Sequence, residues 1–499
     1  MAGISTIFLQ EFPKFKIIQA LAKKKRTKVY LVGGFLRDYV LERECFDFDF
    51  AVSKDAIGVA RIFAKKIKGA FVLLDEGHGC ARVVRPATKH GGARSRHSLK
   101  ANDGSAAKKI FTFDFADFRK KTLTGDLSCR DFTINTLCVD VGRVGDSGNL
   151  EKNLVDLKGA LKDIKARTIK MVSKESFKED PLRLVRAFSL AALLGFTIEK
   201  KTLAQVKRDK NRIREVAYER IRDEFFKILA TEKASSDLKA MDKIGFLDCL
   251  IPQLGVMYDC TQGGYHHLDV WPHSLETMAQ LEKVFEEFKP HRDVWEYLNE
   301  PFAALRPRLS LLKLAALLHD IGKPQTKKKE GGRTSFHGHE KVGQNITRHI
   351  ALMMKLSTRE RRALEDMVLW HLRPGYLSNF KLPSERSIFR YFRDTQEEAA
   401  GILLLSLADQ RATRGPLTTA DDQKHHEDIV KSLIARYFDK RREKPFVRLI
   451  DGNDLIRRLH LKPSPLFAKI LREVEEKQAT EKIHTQEEAL SLARKMAIL

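Results

Sequence analysis

Between Lys28 and Val52 the chain reads KVYLVGGFLRDYVLERECFDFDFAV, an order that few folds can accommodate. Lys28–Val32 is a β-prone apolar run, Gly33-Gly34 a tight turn, Phe35–Leu41 a turn or two of helix, and Phe46–Val52 a second strand. In that second strand, period two places Phe46, Phe48 and Phe50 on one face and Asp47 and Asp49 on the other. Neighbouring carboxylates on an otherwise apolar strand repel each other and lose hydration, so the arrangement calls for a compensating cation. A divalent ion that prefers oxygen ligands, most simply Mg2+, supplies it. The glycines upstream let backbone N–H groups approach a phosphate at a helix start. Turn, helix and carboxylate strand together suit metal-assisted transfer of a phosphoryl or nucleotidyl group. The alternative is an edge strand whose polar face meets water.

Gly33-Gly34, Arg37-Asp38 and Asp47-x-Asp49 in this order resemble the signature of the polymerase-β-like nucleotidyltransferases, specifically the bacterial class II CCA-adding and poly(A) polymerase family. The strand Ile110–Ala116 (IFTFDFA) alternates in the same way, with Phe111, Phe113 and Phe115 opposite Thr112 and Asp114. Asp114 is therefore a candidate third carboxylate, which the superfamily commonly has. SCRDFTINTLCVD (Ser128–Asp140) looks like the family's R-R-D-F-T-I-N-A motif, with Cys129 in place of Arg and Thr136 in place of Ala. The resemblance implies that Arg130, Asp131 and Asn135 handle the sugar and phosphates of the incoming nucleotide, and that Gly33, Gly34 and Arg37 cradle its triphosphate.

From Glu179 onward the apolar period is helical. Asp180 reads as an N-cap with Pro181 at the first helical position. EDPLRLVRAFSLAALLGF is close to the family's neck motif, with Ser189 where arginine is usual. There the matching Asp180 and Arg183, with Arg186 one turn on, address the base edge of the nucleotide. A carboxylate acceptor and a guanidinium fork can mimic a Watson–Crick edge, so protein groups replace a template.

A second constellation follows: His273 in WPHSLE, His319-Asp320 in LLHDIGK, His339 in FHGHE, His371 in LWHLRP and Asp409 in SLADQ. Singly, each is as readily a capping or core residue. In this order they resemble the metal-dependent phosphohydrolases named for their His-Asp pair. That resemblance implies a centre of one or two divalent ions (Ni2+, Mn2+ or Fe2+) hydrolysing a phosphate ester. Between His337 and His339 the ligand is taken as His339, because Glu340 and Gly343 follow it as in that family.

The chain has 499 residues and 91 Lys+Arg against 66 Asp+Glu, a formal net charge of +25. Such an excess favours a polyanionic partner, with a solvated basic surface as the alternative. Cys45, Cys80, Cys129, Cys138, Cys249 and Cys260 are scattered, with no C-x-x-C pair, which suits a reducing cytosol. No run reaches membrane-spanning length. A cytoplasmic protein without membrane association is expected. Residues 85–109 hold seven basic residues against one acidic and read as an insertion between strands or a secondary RNA contact.

The resulting expectation is an α+β, multidomain protein. An α/β nucleotidyltransferase head (1–145) precedes a helical neck (146–260), a His-Asp domain (261–425) and a helical tail (426–499), all three of them all-α. The resemblance implies addition of CCA to tRNA 3′ ends from CTP and ATP, with Asp47 and Asp49 holding Mg2+. Poly(A) polymerase and partial CC- or A-adding enzymes share every head motif. A protein uridylyltransferase pairs the same two catalytic domains, and an inert RNA-binding module is the non-enzymatic alternative. The sequence does not specify the oligomeric state.

Overall fold

The computed structural model describes residues 3–86, 110–144, 150–303, 306–331, 333–442 and 447–498. Two compact units are present, 1–216 and 217–499.

The first unit is built on a mixed sheet of β1 (Val29–Val32), β2 (Asp47–Val52), β3 (Ala70–Asp75), β4 (Cys80–Pro86), β5 (Ile110–Asp117), β6 (Cys138–Asp140) and β7 (Leu154–Val155), in the order β3-β4-β5-β2-β1-β6-β7. β2 and β5 run parallel at its centre, with Asp47 opposite Thr112 and Asp49 opposite Asp114. The other neighbours in the sheet pair antiparallel.

Aromatic packing explains which face is which. Phe48 stacks on Phe113 with ring centroids 5.1 Å apart, and Phe50 on Phe115 at 4.8 Å. Phe15, from helix α1 (Gly3–Lys25), packs edge-on against Phe48, and Phe63, from helix α2 (Ala56–Ile67), against Phe113. Each fully buried ring contributes about 2–3 kcal/mol. Slipping β2 by one residue would reverse every side chain, so the phenylalanines commit Asp47, Asp49 and Asp114 to the opposite face.

Several local expectations need correction. Helix α1 escaped notice because its apolar residues make no clear stripe. β4 begins at Cys80, and of the expected insertion Arg85 and Pro86 still pair with β5; residues 87–109 lie outside the described part. Asp180 is not an N-cap. It terminates the short helix Ser176–Glu179, its Oδ1 accepts from Leu182 N at 3.3 Å, and the next helix is Arg183–Leu194. Pro181 disfavours helical backbone in the residue before it, which separates the two helices.

Among its described residues the second unit is helical apart from the two-stranded pieces Pro301–Ala303/Arg306–Pro307 and Lys328–Glu330/Arg333–Ser335. The neck also contributes a short pair to the first unit, Thr168–Ile169 with Thr197–Ile198, so neck and His-Asp region are not wholly α. The pieces in the second unit are too short to show as period-two runs. Near the C-terminus, Ile450, Leu455, Ile470, Val474, Ala489, Leu490 and Ala493 form a small core of their own.

Candidate functional sites: a carboxylate face and a histidine-aspartate cluster

On the polar face of the sheet, Asp49 is half-buried and Asp47 exposed. Burial pushes the Asp49 carboxyl up to about 6, partly offset by Arg130 and reinforced by Asp114 and Asp47. Asp114 is gripped by Arg82 of β4, with Nε–Oδ1 at 2.8 Å and Nη2–Oδ2 at 2.7 Å. Asp47 accepts from the Thr112 hydroxyl. Register sets Asp49 beside Asp114, whose two carboxylate oxygens are both taken by Arg82, and the three acids do not make a metal-binding group among the described residues. Asp47 and Asp49 offer the oxygen donors that a hard divalent cation prefers.

The turn above is shaped for the same face. Gly33 has φ of +83°, and a Cβ there would lie 2.9 Å from Asp49 Oδ2 and 3.1 Å from Arg130 Nη1. Gly33→Ala is expected to cost about 1–2 kcal/mol in stability and to displace the Asp49 carboxylate. Melting curves and a nucleotide-incorporation assay check this, with at least a tenfold loss of rate expected.

Beside the turn, four of the sequence-predicted residues form one hydrogen-bonded chain. Arg37 Nη1 donates to Asn135 Oδ1 at 2.8 Å, and Asn135 Nδ2 to Asp131 Oδ1 at 3.0 Å. Arg186 Nε lies 2.9 Å from Asp131 Oδ2. Burial opposes ionisation of Asp131, but Arg186, Asn135 and the Phe132 N–H outweigh it and hold the carboxyl low. Arg37 also clasps Asp38 through Nε and Nη2. Arg183 is buried and faces inward, with Nη1 to the Ser176 carbonyl at 3.1 Å and Nη2 to the Cys129 carbonyl at 2.7 Å. In this arrangement its fork braces the helix Arg183–Leu194, and Asp180 lies half-buried at the preceding bend.

In the second unit, six side chains from five segments converge. His273 lies in the helix Val270–Phe288, His319 and Asp320 follow the helix Arg308–Leu318, and His339 opens the helix His339–Met353. His371 ends the helix Thr358–Trp370, and Asp409 lies in Ala399–Ala412. They form two ligand triads, His273/His319/Asp409 and Asp320/His339/His371; His337 is in neither. A Cβ on Gly322 would fall 2.1 Å from the His339 carbonyl oxygen, so only glycine lets these segments meet.

The imidazoles are oriented as ligands. Nδ1 of His319, His339 and His371 faces the carbonyls of Ala316, Phe336 and Val368 at 2.9, 2.8 and 2.7 Å. Each Nδ1–H then donates to its carbonyl and leaves Nε2 facing inward. Without a metal, His319 carries a proton there too, because burial opposes the charge but Asp320 and Asp409 outweigh it and raise the pKa to about 10. His339 Nε2 and His371 Nε2 are 3.3 Å apart, two acceptors that repel unless a cation lies between them. Asp320 faces both triads, with Oδ2 3.2 Å from His319 Nε2 and Oδ1 3.3 Å from His339 Nε2. Burial opposes its ionisation, but His319 and Lys323 hold the carboxyl well below the usual carboxylate range. This donor set fits transition-metal divalent ions.

Residues 29–170 match the Poly A polymerase head domain family, 195–257 the probable RNA- and SrmB-binding site of polymerase A, and 270–414 the HD domain family. The A-adding tRNA nucleotidyltransferase of Deinococcus radiodurans is 31% identical over 94% of this chain and 95% of its own length. The chain belongs to the tRNA nucleotidyltransferase family. The CC-adding tRNA nucleotidyltransferase of Thermus thermophilus is 28% identical over 92% of this chain and 91% of its own. Among solved structures, the Thermotoga maritima CCA-adding enzyme complexed with tRNA shares the fold, with a TM-score of 0.59, 18% identity and 98% coverage of each chain. A CCA-adding enzyme with ATP gives a TM-score of 0.61, with 18% identity over 97% of this chain and 93% of that one. Membership of this family with an HD domain makes the protein an enzyme of a divalent-metal-dependent class. Among the described residues no helix is long and apolar enough to cross a membrane.

Sequence reading missed two participants. Arg82, partner of Asp114, gave no signal because it lies on an unrecognised strand. His266 lies in the loop before the first ligand helix, its ring 4.8 Å from that of His273. Burial, Lys323 and His273 lower its pKa to about 3. The pair His266-His267 just ahead of WPHS was the available clue.

Proposed function

We propose that this protein extends tRNA 3′ ends by template-independent nucleotidyl transfer from CTP and ATP, completing the CCA terminus. The parallel register that sets Asp49 beside Asp114, next to the Gly33 turn, carries the reading. Asp47 and Asp49 hold Mg2+, with Asp114 available once Arg82 releases it. Bound there, a pair of ions supplies Lewis acidity to the attacking 3′-hydroxyl and the departing pyrophosphate. Gly33 and Gly34 face the triphosphate, while Arg37, Arg130 and Asn135 shape its pocket around Asp131, which takes the ribose. Asp180 and Arg186 select the base, joined by Arg183 once its fork leaves the carbonyls of Ser176 and Cys129.

The work divides among head (1–145), neck (146–260), HD domain (261–425) and tail (426–499), the last contacting RNA. His273, His319, Asp320, His339, His371 and Asp409 form a phosphohydrolase centre for Mn2+, Ni2+ or Fe2+. Six unpaired cysteines support a cytoplasmic location.

A-only addition is the second reading, favoured by the 31% identity to an A-adding relative over nearly the whole chain. A tailing assay with Mg2+ separates them, using tRNA ending before, within and after CC, with CTP, ATP or both. Three nucleotides added to the shortest tRNA, CTP first, is the expected result. A single A added only to CC-ended tRNA would establish the second reading. Arrest after CC would make this a CC-adding enzyme, and long ATP-only tails a poly(A) polymerase.

A further inference from the structure

The loop of residues 261–269 ahead of the helix Val270–Phe288 carries an imidazole that neither ligand triad uses. His266 stands edge-to-face on His273, with ring planes at 80°. Its nitrogens belong to neither triad, and its Nδ1 is buried without a hydrogen-bond partner among the described residues. Leaving such a nitrogen unsatisfied costs about 1–3 kcal/mol, so a buried orphan of this kind points to an absent ligand.

The loop is tied down around it. Lys323 Nζ lies 2.6 Å from Asp320 Oδ2 and donates to Gln262 Oε1 at 2.7 Å. Lys327 Nζ donates to Thr261 Oγ1 at 2.6 Å. The Tyr265 carbonyl accepts from Gly415 N at 2.8 Å and from Thr418 Oγ1 at 3.2 Å, and His266 N donates to the Gly263 carbonyl at 3.0 Å. An imidazole that stands on the His273 ring and is carried by a loop tied from several sides, yet is short of one partner, is preorganised for something that comes and goes.

We propose that His266 is a positioning residue of the HD centre, donating its Nδ1–H to a non-bridging phosphoryl oxygen of the bound phosphate ester. The proposal rests on the phosphohydrolase reading of that centre. Anionic oxygens suit the position, because Lys323 and the ions that the triads would hold make its surroundings cationic. A neutral imidazole adds a directional donor that fixes the tetrahedral group without binding metal itself.

The test uses the full chain loaded with Mn2+, inorganic phosphate as the ligand and p-nitrophenyl phosphate as the substrate. Phosphate affinity is read from 31P relaxation, and Mn2+ stoichiometry from elemental analysis. His266→Ala is expected to keep the wild-type Mn2+ content and nucleotide incorporation, weaken phosphate binding about tenfold, and raise KM more than it lowers kcat. His266→Asn, whose amide N–H replaces Nδ1–H, is expected to recover most of the affinity, and the exposed neighbour His267→Ala to change nothing. Unchanged phosphate affinity in His266→Ala, or a loss explained by reduced Mn2+ content, would overturn the proposal and leave His266 as packing for His273. Wild-type protein that holds Mn2+ but neither binds phosphate nor hydrolyses the ester would instead overturn the phosphohydrolase reading, and this inference with it.

Discussion

Asp49→Asn is expected to abolish nucleotide incorporation while making the metal-free protein more stable at neutral and alkaline pH. Losing an ion's ligand removes several kcal/mol of transition-state stabilisation, a fall in rate of about a thousandfold or more. The stability effect follows from the Asp49 carboxyl, raised to about 6 from an ordinary 3.8. Below about pH 3 the group is protonated both folded and unfolded and contributes nothing. As pH rises through that window the unfolded chain ionises first, so the folded state loses stability, levelling off above about pH 6. The full cost is on the order of 2–3 kcal/mol, and the amide avoids it. In EDTA, Asp49→Asn should therefore melt several degrees above wild type at pH 8 and level with it at about pH 3. Added Mg2+ should reverse the order at pH 8, because only the wild-type carboxylate gains from the ion. A variant less stable than wild type in EDTA at pH 8 would mean that Asp49 is a packing residue and not a metal ligand in waiting.

Asp320→Ala should have the largest effect in the second unit. Asp320 is the carboxylate of the triad with His339 and His371 and also reaches His319 of the other, so its loss disables the first and weakens the second. Wild-type protein is expected to gain about 2.7 kcal/mol of stability at an Mn2+ concentration one hundred times Kd. In the variant that gain should disappear, Mn2+ content should fall below one ion per chain, and ester hydrolysis should cease. Tailing activity should persist, because Asp47, Asp49 and Asp114 belong to the other compact unit. Loss of both activities together would indicate misfolding, which circular dichroism distinguishes. Retained Mn2+ would show that the histidines suffice and that Asp320 is not the bridge.

How much of this was legible without a structure varies by element. The faces of β2 and β5 could be read directly, because strand periodicity is two and the phenylalanines alternate without a break. The order of the histidines and aspartates along the chain was readable as a resemblance, and the structure gathers those six side chains into two triads. Helix α1, strand β4 and the two-stranded pieces were not legible, since short or stripe-poor segments take their conformation from what they pack against.

By itself, the sequence determined which side chains share a face, that the Gly33-Gly34 turn needs glycine, and which family the motifs resemble. Those are local properties, set by backbone period and steric limits within a few residues. Only the tertiary structure decided that Arg82 holds Asp114, that the Arg183 fork points at a carbonyl of Cys129, and that three imidazoles aim their Nε2 atoms inward. It also placed His273 2.9 Å from Asp409, 136 residues further on. Such pairings depend on how separate helices and strands pack and on which rotamer burial leaves open, and no local pattern encodes either.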